Sequence, residues 1–265
     1  MKENCYMDSI YIDVFSGISY DELFPMIKEI GFTGFFSGEC YAKDFEKLSD
    51  LKKSAEKIGL IQETSHSTIP GSSSIWNDNA DGEKFVDVLK LNIDNCSKLS
   101  IPILVVHIQP DSTQRPSFEV GLNRLKTIVK YAKEQSVKIA FENINSAEYL
   151  YRTLEYFDDN NVGFCYDCGH EACHTNGEHY LPKIGNRLFC THIHDNDNKS
   201  DQHLIPFDGQ IDFARIANEL RNCNFKGNIT LELCYGNYYS NQMNKSEFLK
   251  KSFEAASRLQ NLITK

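Results

Sequence analysis

Residues 188–195 read LFCTHIHD, and DFARIANELRNCNF follows at 212–225. The first is a short, mainly apolar run of strand length. The second repeats its apolar residues at helical spacing. GNITLELCYG (227–236) and SEFLKKSFEAASRLQNLI (246–263) then repeat the pair. Moving back along the chain, the same alternation recurs. Strands are expected at 9–15, 32–38, 60–67, 101–109, 137–144 and 162–170. Helices are expected at 19–31, 44–59, 81–99, 117–135, 147–158 and, short and poorly defined, near 178–185. Ser19 is a candidate N-cap of the first helix, and Gly31 and Gly59 close the first two. Strands alternating with helices of ten or more residues pair in parallel through right-handed crossovers. Eight such units in about 250 residues match a closed (β/α)8 TIM barrel, an α/β fold, as a single domain over 1–265. The competing fold is an open doubly wound sheet. Against it, the first strand–helix junction, DVFSGISYDE, lacks a GxGxxG phosphate turn.

Composition narrows the function classes. The chain has 265 residues, 41% of them hydrophobic, and a formal net charge of −9. That charge argues against nucleic acid or an anionic membrane as a broad partner, because both demand clustered Lys and Arg. No apolar run approaches the roughly 18 residues of a membrane helix. The start, MKENCYMDSIYIDVF, has no signal-peptide layout, so a cytoplasmic location is expected. Most of the nine cysteines lie in apolar strand contexts, among them Cys96, Cys165, Cys190 and Cys234. Buried reduced thiols are expected, including at Cys165, Cys168 and Cys173, whose close spacing also suits zinc.

In such a barrel, chemistry sits at the C-terminal ends of the strands. The polar residues there are His66, His107, Glu142, Asp167, His170, His192, His194 and Glu232. All are metal-capable or acid–base types. Strand alternation puts Cys190, His192 and His194 on one inward face, and sets Glu232 opposite Leu231 and Leu233. A lone glutamate inside a barrel is costly to bury. Two glutamates, an aspartate and a histidine converging there offset that cost by sharing a cation. Three carboxylates and an imidazole suit Mn²⁺, Zn²⁺, Co²⁺ or Mg²⁺.

The ordered set FENIN, YDCGH, HIHDND followed by DQH, and LELCYG resembles the xylose isomerase-like TIM barrel superfamily. Its members include sugar and sugar-phosphate isomerases and epimerases, inosose-processing enzymes and apurinic-site endonucleases. The resemblance implies Glu142, Asp167, His192 and Glu232 as ligands of a divalent metal. His192 is preferred over His194 because Asp195–Asn196 then matches the usual D-N loop opening. His194 would sit one layer nearer the substrate, and His170 resembles a histidine that contacts a substrate oxygen. The implied activity is isomerisation or epimerisation of a carbohydrate through an enediolate. Glu142 and Glu232 would be the catalytic pair exchanging the proton beside the carbonyl. His66, His107, His170, His194, Asp201 and His203 would line the substrate site.

Two alternatives stay open. The endonucleases hold three zinc ions with nine ligands, and His66, His107, Glu142, Asp167, His170, His192, Asp201, His203 and Glu232 match every position. The acidic loop IHDNDNKS departs from that pattern; the turn LIPFDGQID, with Phe207 and Asp208 where a small residue is expected, departs from the nucleases and from many of the isomerases alike. A metal-dependent polyol or inosose dehydratase is the other alternative. Asp195 to Ser200 is expected to be a solvated exit loop. Trp76, in IPGSSSIWND (69–78), is a candidate pocket cap, and Lys199 and Arg115 are candidate phosphate contacts. A small carbohydrate is the expected partner, and relatives suggest a possible homo-oligomer.

Overall fold

The computed structural model describes residues 8–11, 18–110, 116–175 and 177–265. The first strands and helices are β1 (Asp8–Tyr11), α1 (Tyr20–Ile30), β2 (Gly34–Ser37), α2 (Glu39–Ala42), α3 (Phe45–Glu56) and β3 (Ile61–His66). Then come α4 (Ala80–Lys98), β4 (Ile103–His107), α5 (Phe118–Glu134), β5 (Lys138–Glu142), α6 (Ala147–Tyr156) and β6 (Val162–Asp167). The chain continues through α7 (Cys168–His174), α8 (Leu181–Ile184), β7 (Leu188–His192), α9 (Phe213–Asn222), β8 (Ile229–Leu231), α10 (Tyr235–Tyr238) and α11 (Lys245–Thr264).

All eight strands are parallel, in the order β7-β6-β5-β4-β3-β2-β1-β8. The two ends meet just past β7: Ile193 N–H donates to the Thr230 carbonyl at 2.8 Å, and Glu232 N–H donates to the Ile193 carbonyl at 3.1 Å. The fold is therefore the expected (β/α)8 barrel.

Local sequence explains the helix ends. Ser19 precedes α1 as expected, with Glu22 reaching back to its N–H, and Gly31 follows at φ 126°, open only to glycine at low cost. Asp44, Asn79, Asp212 and Asn244 each accept backbone N–H bonds at the start of α3, α4, α9 and α11. Two boundaries differ from expectation. The sixth strand stops at Asp167, because Asp167 accepts the His170 N–H at 2.6 Å and so starts α7. The element near 178–185 is a single turn of helix followed by a 3₁₀ turn.

Trp76 is no pocket cap. It is 1% exposed, donates to the Ile108 carbonyl, and stacks on Phe118 at 5.5 Å. Arg124, 7% exposed, binds the carbonyls of Ile75, Asn77 and Asn79 and pins the same loop against α5. Arg115 lies outside the described residues, and Lys199 is exposed.

A β-carbon at Gly121 would fall 2.0 Å from the Trp76 ring, so only glycine lets α5 approach it. Gly121→Ala is expected to cost about 1–3 kcal/mol through overpacking. Gly236→Ala, with nothing within 4 Å of the added carbon, is the control. Urea denaturation of both variants checks this.

Candidate functional site

Five strands end on a site residue. His66, His107, Glu142, Asp167 and His192 are the last residues of β3 to β7, and Glu232 follows directly after β8. Register pairs His107 with Glu142 and Asp167 with His192, whereas His66 pairs with Val105 and Glu142 with Cys165, so the side chains are staggered along the barrel axis. All six lie at the end where such folds carry their chemistry.

Glu142 is the hub. Its Oε2 lies 3.2 Å from both His66 Nε2 and His107 Nε2, which are 3.1 Å from each other. Its Oε1 lies 3.2 Å from His192 Nδ1 and 3.3 Å from His170 Nδ1. His192 Nδ1 also faces Glu232 Oε2 at 3.3 Å. Burial opposes ionisation of Glu142, yet His192 and His107 outweigh it and hold the carboxyl well below its usual range. Burial likewise opposes protonation of His192, but Glu232 and Glu142 push its pKa well above that of an ordinary imidazole.

A third group stands nearer the rim. Asp201 Oδ2 contacts His203 Nε2 at 3.1 Å and His170 Nε2 at 3.4 Å. His194 stacks on His203 with ring centres 4.0 Å apart, and its Nε2 faces Asp167 Oδ1 at 3.1 Å. Burial raises the Asp201 pKa, but His170 and His203 bring it far below the normal value. Burial lowers that of His203, and Asp201 and Glu232 raise it to about 9.

These residues fit divalent cations. His66 Nδ1 sits 2.8 Å from the Ser67 carbonyl, so a neutral ring donates there and turns the Nε2 electron pair toward Glu142. Facing electron pairs at 3.2 Å demand a proton or a cation between them. Buried His192 Nε2, His194 Nδ1 and His107 Nδ1 have no hydrogen-bond partner. Ligand atoms of Glu142, Asp167, His192 and Glu232 lie within 4.8 Å of one another. So do those of His66, His107 and Glu142, and those of His194, Asp201 and His203.

The ten acids and histidines proposed from sequence as metal, catalytic or substrate residues are in this assembly. Its supports were not all foreseen. Asn143 bridges β5 and β6, donating to the Asp167 carbonyl at 2.7 Å and accepting the Asp167 N–H at 2.8 Å. Cys168 Sγ contacts the His194 carbonyl at 3.1 Å. Gly169 leaves room for the His194 ring, which a β-carbon would meet at 1.8 Å. The YDCGH segment is therefore a packing unit as well as a source of polar groups. Among the described residues the cysteines form no disulfide; Cys165 and Cys168 are buried and Cys173 is partly so.

The expected solvated loop at 195–200 requires correction. Asp195 and Asn196 are fully buried, and only 198–200 are exposed. The Asp195 carboxylate accepts backbone N–H bonds from Asn196, Phe207, Gly209 and Ile211 at 2.8 to 3.0 Å. Phe207 takes a left-handed φ of 76°, a conformation that favours glycine, at the position where the sequence departs from a small residue. The acid thus ties the returning segment to the end of β7 and fixes the loop that carries Asp201 and His203.

Fold and site together define a polar-centred TIM barrel with cation-binding geometry. Residues 24–255 match the xylose isomerase-like TIM barrel family model, and the chain belongs to that family. Uncharacterized protein y4fM of Sinorhizobium fredii is 30% identical over 192 residues, covering 67% of this chain and 61% of that protein. An uncharacterized protein of Methanocaldococcus jannaschii is 26% identical, with 56% of each chain covered. The chain thus spans roughly three fifths of the length of the curated relatives it matches. The fold is similar to that of D-psicose 3-epimerase from Clostridium cellulolyticum H10, with a TM-score of 0.80 at 14% identity and 97% and 99% of the two chains covered. It is also similar to 3-keto-D-glucoside 4-epimerase from E. coli, with a TM-score of 0.72 at 16% identity and the same coverage.

Asp195→Ala leaves buried backbone N–H groups without their charged acceptor. It is expected to cost about 3 kcal/mol or more and to speed hydrogen exchange at Phe207, Gly209 and Ile211. Thermal denaturation and amide exchange by NMR measure both.

Proposed function

We propose that this protein is a divalent-metal-dependent carbohydrate isomerase or epimerase. The observation that carries the reading is the approach of Glu142 and Glu232, from β5 and from beyond β8, to one ring nitrogen of His192 at 3.2 and 3.3 Å. Two carboxylates then flank a single point inside the barrel. The sugar epimerases of similar fold support the substrate class.

Glu142, Asp167, His192 and Glu232 would hold the cation. When bound, it supplies Lewis-acid polarisation of a substrate carbonyl. Glu142 and Glu232 stay ionised at neutral pH, because the imidazoles offset their burial. One takes the proton from the carbon beside the carbonyl and becomes the neutral acid; the proton returned comes from that acid or from a water, directly or through the other glutamate. Return to the opposite face of the same carbon is epimerisation, and return to the neighbouring carbon is isomerisation. His170 and His194, with Asp201 and His203 at the rim, would orient substrate hydroxyls.

Glu142→Gln and Glu232→Gln are each expected to lower turnover of a ketose by about 10²–10⁴-fold. Solvent deuterium incorporation into the substrate, followed by NMR, reads this directly. Retained exchange in both variants would overturn the two-glutamate scheme.

A second reading rests on one specific observation. Of the nine residues that match the three-zinc endonuclease pattern, six fall in two clusters that share Glu142 (His66, His107 and Glu142; Glu142, Asp167, His192 and Glu232), and Asp201 contacts both His170 and His203. That supports a multi-zinc phosphodiesterase, against a net charge of −9 that suits a DNA backbone poorly. Metal analysis of the zinc-loaded chain, with an abasic-DNA cleavage assay, separates the two. The isomerase reading predicts no strand cleavage; three zinc ions per chain with cleavage would replace it.

A further inference from the structure

Three of the site histidines are held by the backbone. Nδ1 of His66, His170 and His203 lies 2.8, 3.1 and 2.9 Å from the carbonyls of Ser67, Asn143 and Glu232. A metal-bound histidine usually carries such an anchor on the ring nitrogen that faces away from the metal, and the anchor fixes the plane of the ring. His192 has none. Its Nδ1 faces Glu142 and Glu232, and among the described residues nothing accepts a hydrogen bond from its Nε2, although the side chain is fully buried. A ring held through one nitrogen alone can tilt about that contact.

An aromatic ring lies against it instead. Phe36, on β2, stacks on His192 with ring centres 4.6 Å apart and planes 15° apart. β2 and β7 are not neighbours in the sheet, so this contact crosses the barrel interior. Phe36 stacks in turn on Tyr11, its partner in register on β1, at 4.8 Å and 22°. Its burial has no other evident purpose. Phe36 is fully buried yet belongs to neither apolar cluster of the described residues. Phe35, on the opposite face of the same strand, packs into the main core against Phe24 at 5.1 Å.

We propose that Phe36 is a positioning residue, whose ring face holds the plane of His192 in place of the missing backbone anchor and keeps Nδ1 aimed between Glu142 and Glu232. The inference rests on the reading of His192 as a ligand of the divalent cation. A cation on an imidazole draws electron density from the ring. The electron-rich face of a phenyl ring stabilises an electron-poor ring lying on it. The stack therefore favours the cation-loaded site over the empty one, beyond what its burial contributes to the fold. An aliphatic side chain at position 36 fills most of the space but offers no such face.

The test is a titration of the full chain with Co²⁺, followed by visible absorption. Four variants accompany it, each checked for folding by circular dichroism: Phe36→Leu, Phe36→Met, Phe35→Leu and His192→Ala. Phe35→Leu is the structural control, the same change one residue away in a ring that faces the core. The expected result is a Co²⁺ affinity lowered about three- to tenfold by Phe36→Leu and by Phe36→Met, unchanged in Phe35→Leu, and lowered further in His192→Ala. An affinity that the Phe36 variants leave unchanged overturns the proposal. So does an equal loss in Phe35→Leu, which marks a general loosening of β2. The flexible side chain of Phe36→Met adapts to the gap, so this arm stands even where Phe36→Leu fails to fold. An affinity that His192→Ala leaves unchanged overturns instead His192 as a ligand, the reading beneath the proposal.

Discussion

A carboxylate with no access to water organises this molecule. Glu142 is 2% exposed and has four imidazole rings within 3.3 Å, from β3, β4, β7 and the first turn of α7. Burying such a charge alone is prohibitively expensive. The protein offsets the cost by converging polar groups from neighbouring strands on it. Because those strands are locked in register, moving any one of them breaks contacts to several others. The barrel and the site are thus one construction: closure of the sheet brings the charges together, and the charges fix the register in which it closes.

The supports around the hub follow from the same constraint. Asn143 ties the ends of β5 and β6 through paired backbone bonds, which holds Glu142 and Asp167 at a set spacing. Asp195 gathers four backbone N–H groups and folds the chain after β7 back over the barrel. Asp201 and His203 then reach the rim, where Asp201 contacts His170. Gly169 lets His194 lie flat against α7. Each support is neutral toward chemistry, and each decides where a chemically capable group stands.

Much of this was legible from the chain. The strand–helix alternation sufficed for the barrel, and the ends of the strands carried the residues that proved to cluster. The reason is geometric. A parallel barrel puts all its C-terminal strand ends on one face, so acids and histidines at those positions must meet. Other features were not legible. Trp76 read as a candidate pocket cap on a loop, but its ring fills a slot left by Gly121 more than forty positions away. Asp195 looked solvated because it stands in a charged run; its partners lie 12 to 16 residues on, apart from the adjacent Asn196.

The sequence by itself determined the fold class and the set of polar residues at the mouth, because both follow from periodicity along single strands. Only the tertiary structure decided how that set is divided. It placed Glu142 between two clusters, gave His192 to Glu142 and Glu232, and gave His194 to Asp167 and the rim. Those outcomes depend on distances between strands far apart in the chain, and spacing along one strand carries no information about them.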